Sequence, residues 1–521
     1  MRYHLSRRDF LKAAGGAGLG LLTPVSGLAD VLRFVDRPIA RRSQDAWAQV
    51  ASILARISPP RFPDREFDVT KFGAAGDGAK DCTAAFRDAI AACQAAGGGR
   101  VIVPAGMFLT GPIRLKSGVN LHVSSGAVLR FSQDPRHYLP VVFTRWEGVE
   151  LMNYSPFIYA FEEDRVAITG GGTLDGQADP EHWWPWTGKN AKTPGPTQGP
   201  ARARLFGMAT EGVPVAARVF GEGSYLRPNF IQPYRCKNVL IEGVTIRNSP
   251  MWEIHPVLCT NVTVRKVTID SHGPNNDGCN PESCRDVLIE GCAFDTGDDC
   301  IALKSGRNED GRRLGVPVEN VVIRDCTMKD GHGGVVIGSE ISGGARNIFA
   351  ERCRMDSPQL DRALRIKTNA RRGGTIEHVY MRNVEVGQVA EAVVTVNFFY
   401  EEAEAGTFQP IVRDIEVRNV TSRKSQYALL LRGFSHSPIS DVRIVDCTFD
   451  NVAKPDVLEA VKDITLANVR INGTLRNETI SRQQSPAPLS RLPEPPGSSR
   501  ASTAARGTPT WLPRWGALVE G

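Results

Sequence analysis

Apolar residues recur at every second position in short stretches, and from residue 238 onward the stretches repeat as one phrase. Asn238–Ile246 reads Asn-Val-Leu-Ile-Glu-Gly-Val-Thr-Ile, and Asp286–Phe294 and Asn320–Met328 follow the same plan. Further copies open at Asn261, Asn347, His378, Asp414, Asp441 and Asp463. Each begins on a turn former, nearly always Asn or Asp. Two alternating apolar runs follow, parted by a polar or glycine pair. An apolar period of two predicts half-buried strands, and the β-branched content agrees. The copies lie 22–36 residues apart, with no helical pattern in the gaps, which excludes a helix in every turn.

Such units stack as an all-β, single-stranded right-handed parallel β-helix. Each coil pairs its backbone with the coils above and below, and alternate side chains fill the interior. The cysteines fit this reading. There are 11, an odd number that cannot all pair. Cys292, Cys326, Cys353 and Cys447 share the slot that Val244, Val267, Val384 and Val420 fill in other copies. A slot open to Val and Cys is an interior one, where the thiol serves as a small hydrophobe. No CxxC pair has zinc-like spacing, so no metal or cofactor is expected.

The coils account for residues 62–475. Asp81–Ala96 has apolar residues at helical spacing and stops at Gly97, which predicts a helix capping the first coil. Residues 1–29 carry Arg7-Arg8 before Phe10-Leu11-Lys12, then a short Ala/Gly/Leu run: a twin-arginine-type export signal, too short to span a membrane. That route moves folded proteins out of a bacterial cytoplasm, to the periplasm or beyond. Residues 30–61 read as a helical lead-in, and residues 476–521, rich in Pro, Ser and Arg, as a disordered tail. The net charge of +6 comes from the ends, about +3 in residues 1–29 and about +3 in residues 481–521. The middle is close to neutral, so global charge gives no argument for nucleic acid.

Chemistry concentrates in the middle coils. Asp298 and Asp299 lie in Gly297-Asp-Asp-Cys300, Asp277 about one coil earlier, and His332, Arg365 and Lys367 in the coils after. Stacked coils bring such residues to about 4.8 Å from one another. Counted from the start of its phrase, Asp298 falls in register with His332, each twelve places on. Asp277 falls three places later than Asp299 does, so a longer loop must bring it level. Gly297 is expected to bend the chain so that both neighbouring aspartates reach one cleft. Arg365 and Lys367, two apart, point to the same side of a strand. Paired carboxylates suit glycoside hydrolysis, one protonating the leaving oxygen and another handling the attacking water. The cations suit a sugar carboxylate. A calcium site built from the same acids is the alternative.

These motifs resemble the polygalacturonase family, glycoside hydrolase family 28, in its Asn-x-Asp, Gly-Asp-Asp, Gly-His-Gly and Arg-Ile-Lys signatures. They fall here at Asn275/Asp277, Gly297–Asp299, Gly331–Gly333 and Arg365–Lys367. The resemblance covers about residues 62–475. It implies a parallel β-helix and inverting hydrolysis of α-1,4-galacturonan, with polygalacturonate or its oligosaccharides as the partner. It also implies Asp298 as general acid, Asp277 and Asp299 as the water-activating pair and His332 in support. Arg365, Lys367, Asn275 and a cleft tyrosine, matched by Tyr400, would bind substrate. Asn276 departs from the motif, which carries Thr there. The insertion between Gly176 and Arg235, with Trp183, Trp184 and Trp186, resembles bacterial members that act from chain ends. Trp252 and His255, one coil above Asp277, are assigned to substrate binding, with bracing as the alternative. Other readings are hydrolysis of rhamnogalacturonan or xylogalacturonan, a calcium-dependent lyase, and a non-catalytic glycan-binding solenoid.

Overall fold

The computed structural model describes residues 43–188 and 195–481. The export signal of residues 1–29 and the tail from residue 482 lie outside the described residues. Between them a parallel β-helix winds from Glu66–Asp68 to Val461–Ile471. Equivalent phrase positions stack in register: Val239, Val262, Val287, Val321, Ile348, Val379, Ile415, Val442 and Ile464 form one buried row. The first residue of every copy, from Asn238 to Asp463, adopts a left-handed φ of 54–59°. Asn and Asp enter that region more readily than other L-residues. This is why they open the phrase.

A second face carries the row Ile231, Ile254, Cys279, Ile301, Val335, Leu364, Val394 and Leu429. These residues point into the core, so residues one place away point outward. All eleven cysteines are free and buried, including the four assigned to the interior slot.

The helix over the first coil, α2 (Thr83–Ala95), buries Ala85, Phe86, Ala89, Ile90 and Cys93. The lead-in acquires a definite place. Its helix α1 (43–56) lies against the outside of the solenoid, packing Trp47, Val50 and Ile53 on Leu288, Val322, Phe349 and Tyr380. Those four residues are register neighbours on consecutive coils. At the other end, residues 476–480 were expected to open the tail, and the structure corrects this. They belong to the strand Thr474–Ile480, which turns back antiparallel on the last coil and covers its edge.

Candidate active site

Asp298 and His332 sit opposite each other because Ile301 pairs with Val335, a step of one coil. Asp277 comes level with Asp299 by the same logic, since Cys279 pairs with Ile301. The three places are absorbed after Ser271, which still pairs with Thr296. Gly297 lies at the bend between them; a Cβ there would come within 2.5 Å of the Gly273 carbonyl oxygen. The outcome is that carboxylate oxygens of Asp277, Asp298 and Asp299 all lie within 4.8 Å of one another.

Each acid has its own partners. Asp298 Oδ1 meets His332 Nδ1 at 3.0 Å and accepts from the Asp299 amide. Asp299 pairs with Lys367 Nζ at 2.7 Å and Arg365 Nη1 at 3.3 Å. Asp277 Oδ2 accepts from Asn280 at 2.9 Å, with Lys304 Nζ at 3.6 Å. Tyr400 flanks the cations, its ring centre 5.3 Å from Lys367 Nζ and 5.8 Å from the Arg365 guanidinium carbon. Asp298 and His332 keep contact with solvent, whereas Asp277 and Asp299 are covered by these polar partners.

The electrostatics separate the acids. Burial raises Asp277 well above the usual carboxylate range, and the charge of Asp298 adds to this against the pull of Lys304. Burial would raise Asp298 too, but His332, by charge and hydrogen bond, and then Lys367 and Arg365 hold it far below that range. The Asp298 charge in turn lifts His332 to about 9. Three acids this close do not titrate independently, so a proton held here belongs to the group; burial favours the neutral form of Asp277, and His332 favours the charged form of Asp298. The same trio has the donor set for a divalent cation. However, Lys304, Lys367 and Arg365 already occupy Asp277 and Asp299, and their charge opposes a metal there.

Two sequence assignments need correcting. His255 is fully buried, with Nε2 on Glu282 at 2.7 Å and Nδ1 against Asn229 and Gln232. Trp252 is only 3% exposed, edge-on to His255 and under the Lys304 ammonium. Neither is free to meet a ligand; both brace the coil above Asp277. Asn275 Oδ1 accepts a hydrogen bond from Arg227 Nη2 at 2.7 Å. Asn276 is a structural clamp: its amide bonds Ser271, Gly273, Ser249 and Met251. Lys304 and Arg227 were missed. Lys304 follows Ile301 and Leu303 on the outward alternation, a readable signal; Arg227 lies in the aperiodic insertion and gave none.

Residues 221–475 match the family described as Glycosyl hydrolases family 28. Over 439 residues the chain is 30% identical to a probable polygalacturonase of Vitis vinifera, covering 81% of this chain and 79% of that one. The chain belongs to glycoside hydrolase family 28. It is therefore a glycosidase. A solved exopolygalacturonase from Thermotoga maritima is 46% identical, with a TM-score of 0.82 over 85% of this chain and 100% of that one. An exo-poly-alpha-D-galacturonosidase of Dickeya chrysanthemi is 26% identical across 79% of this chain and 74% of its own length. Residues 67–128 match the family Rhamnogalacturonase A/epimerase, pectate lyase-like, and residues 4–24 match the twin-arginine translocation signal. The chain is an exported enzyme.

Proposed function

We propose that this glycosidase cleaves α-1,4-galacturonosyl linkages of polygalacturonate from a chain end, with inversion. The observation that carries the reading is the trio of carboxylates within 4.8 Å beside Arg365, Lys367 and Tyr400. Arg365 and Lys367 receive the sugar carboxylate. Asp277 and Asp299 hold a water and take its proton as its oxygen bonds to the anomeric carbon. Asp298 gives a proton to the departing glycosidic oxygen. Asp298 is held in its charged form in the free site, so it must gain a proton from the acid group before bond cleavage. Substrate supplies the drive: a carboxylate drawing on Lys367 and Arg365 weakens two of the cations that hold Asp298 down. His332, raised to about 9 by the Asp298 charge, keeps its own proton beside Asp298 Oδ1.

Inversion is usually associated with carboxyl groups about 6.5–9.5 Å apart, and about 5–5.5 Å accompanies a carboxylate nucleophile. The closeness here does not by itself favour inversion. The pairing of Asp299 with two cations does, because a carboxylate so engaged is a poor nucleophile. Action from an end is supported by the insertion, whose helix α3 (Gly199–Thr210) packs on the strand Val149–Asn153. Arg202 of α3 reaches Glu147 at 2.7 Å, and Arg307 and Arg202 both stack on Phe206. The similarity to two end-acting enzymes supports the same choice.

The test is a time course on polygalacturonate with proton NMR of the first anomer released. Monomer or dimer from the outset, as the β-anomer, is expected. A ladder of mid-length oligomers refutes end action, α-anomer refutes inversion, and unsaturated product refutes hydrolysis.

A further inference from the structure

Arg227 is a buried cation without a counter-charge. Its side chain is fully covered, yet among the described residues no carboxylate lies within ion-pair distance. All its hydrogen bonds end on neutral oxygens. Nε donates to Gln198 Oε1 at 3.1 Å; Nη1 donates to the carbonyls of Pro250 at 2.6 Å and Pro274 at 2.7 Å; Nη2 donates to Asn275 Oδ1 at 2.7 Å. Burying a charge this way is costly, and proteins seldom retain it without a use. Burial pulls the guanidinium down to about 9, still protonated under working conditions, and the charges it faces are Glu147, Asp277 and Asp298.

Its position is as informative as its charge. Pro274 and Asn275 belong to the turn that delivers Asp277, and Arg227 holds that turn from the insertion side. A second residue of the insertion presses on the same turn. Trp184 lies so close to Gly273 that a Cβ there would come within 2.2 Å of the indole, and its ring nitrogen donates to the Ser249 carbonyl at 2.8 Å. That carbonyl also receives Asn276 Nδ2. The insertion thus reaches the site itself. It grips the backbone on which a reacting carboxylate rides.

We infer that Arg227 is a positioning residue for the reaction: it fixes the Pro274–Asn275 turn by its hydrogen bonds and lends uncompensated positive charge to Asp277 and Asp298. The inference rests on the hydrolytic reading above. Around the two acids, the other charged groups are Lys304, Asp299, Lys367 and Glu253 near Asp277, and His332, Lys367 and Arg365 near Asp298. Lys304, Lys367, Arg365 and His332 each make an ion pair, whereas Arg227 makes none among the described residues and faces Glu147 as well as the two acids only at longer range. A cation facing a carboxylate favours its charged form, so Arg227 widens the acidic range in which the water-activating pair can take a proton. The fork of the guanidinium supplies the geometry, and its charge supplies the range.

These two contributions are separable. Arg227→Met removes both, Arg227→Lys keeps the charge and loses the fork, and Gln198→Glu keeps the fork while cancelling the charge from the side away from the acids. The measurement is kcat and KM on polygalacturonate from pH 3 to 8, with thermal melts of each variant. In Arg227→Met, kcat is expected to fall about 10²-fold, as for a reacting group displaced by about 1 Å. Its acidic limb should move up by about one pH unit. Arg227→Lys should return the limb to the wild-type position while kcat stays low. Gln198→Glu should move the limb with much of kcat retained. A purely structural brace would change melting and kcat, leave the limb in place, and gain nothing from Lys; that pattern overturns the inference. Should Arg227→Met not fold, Gln198→Glu alone decides, and an unmoved limb sinks the idea. Should the wild-type protein fail to cleave polygalacturonate, the galacturonan reading falls by itself. The carboxyl titrations of Asp277 and Asp298 by carbon NMR then read the same shift in the same variants, and an absent shift refutes it.

Discussion

Replacing His332 by Gln tests the central electrostatic couple. His332 Nδ1 lies 3.0 Å from Asp298 Oδ1, and the Asp298 charge lifts the imidazole from 6.5 to about 9. A shift of that size corresponds to roughly 3 kcal/mol of extra stability for the protonated form. The ring is 37% exposed, so solvent screening reduces the usable part to about 1–2 kcal/mol. The sign follows from which state holds the proton more tightly. The folded protein does, so the stabilisation is complete below the unfolded value near 6.5 and is lost as pH rises through about 9. The wild-type protein should therefore lose about 1–2 kcal/mol between pH 6 and pH 10 that His332→Gln does not lose, a few degrees in melting temperature. Melting both proteins across that range, with kcat/KM on polygalacturonate measured in parallel, gives the answer. The variant should also lose about 10²-fold or more in kcat, as when a group supporting proton transfer is removed. Melting curves that run parallel with pH in the two proteins would refute the couple, whatever happens to activity.

Other consequences can be checked separately. Asp298→Asn should reduce turnover by at least about 10³-fold while calorimetric binding of an oligogalacturonide stays within a few-fold; substantial turnover would remove Asp298 as the acid. Trp47→Ala, at the contact of α1 with Phe349 (ring centres 5.3 Å apart), should destabilise by about 3 kcal/mol with kcat/KM unchanged, and a fully stable variant would deny the helix its role. Asp414 lies against Arg443, Tyr380 and His378; the cost of its burial is outweighed by the hydrogen bonds from Arg443, Tyr380 and His378, which together bring it from 3.8 to about 2. Its folded value is depressed, so about 2 kcal/mol of stability is present above pH 4 and lost as pH falls towards 2. Urea titrations at pH 6 and pH 2.5 should show Asp414→Asn losing less on acidification than the wild-type protein.

The coils were legible because stacking places every copy of the phrase in the same surroundings. Asn261 and Asn320 share a left-handed turn and Val262 and Val321 share a buried row, so one pattern is written nine times. The gathering of the candidate residues was legible for the same reason, since register alone sets Asp298 beside His332. What failed lies where repetition stops. Trp252 and His255 do sit one coil above Asp277, but the hairpin of Val142–Trp146 and Val149–Asn153 covers them. Its Arg145 pairs with the same Glu282 that holds His255. That hairpin is about a hundred residues distant in sequence and has no periodic signature. One available signal went unused. The third position of the phrase faces outward and is apolar in four consecutive copies, Leu288, Val322, Phe349 and Tyr380, then polar at Glu416 and Arg443. An oily strip on a solvent-facing row announces a cover, and α1 is that cover.

That cover also ties the coils together. Ser43, at the start of α1, bonds Glu416, 373 residues further along the chain. Arg56, at its end, holds Asp286. The berth for α1 thus runs from the coil bearing Asp286 to the coil bearing Glu416, so one helix near the start of the chain spans several coils of the solenoid. A clip of this kind links distant coils that otherwise touch only their immediate neighbours.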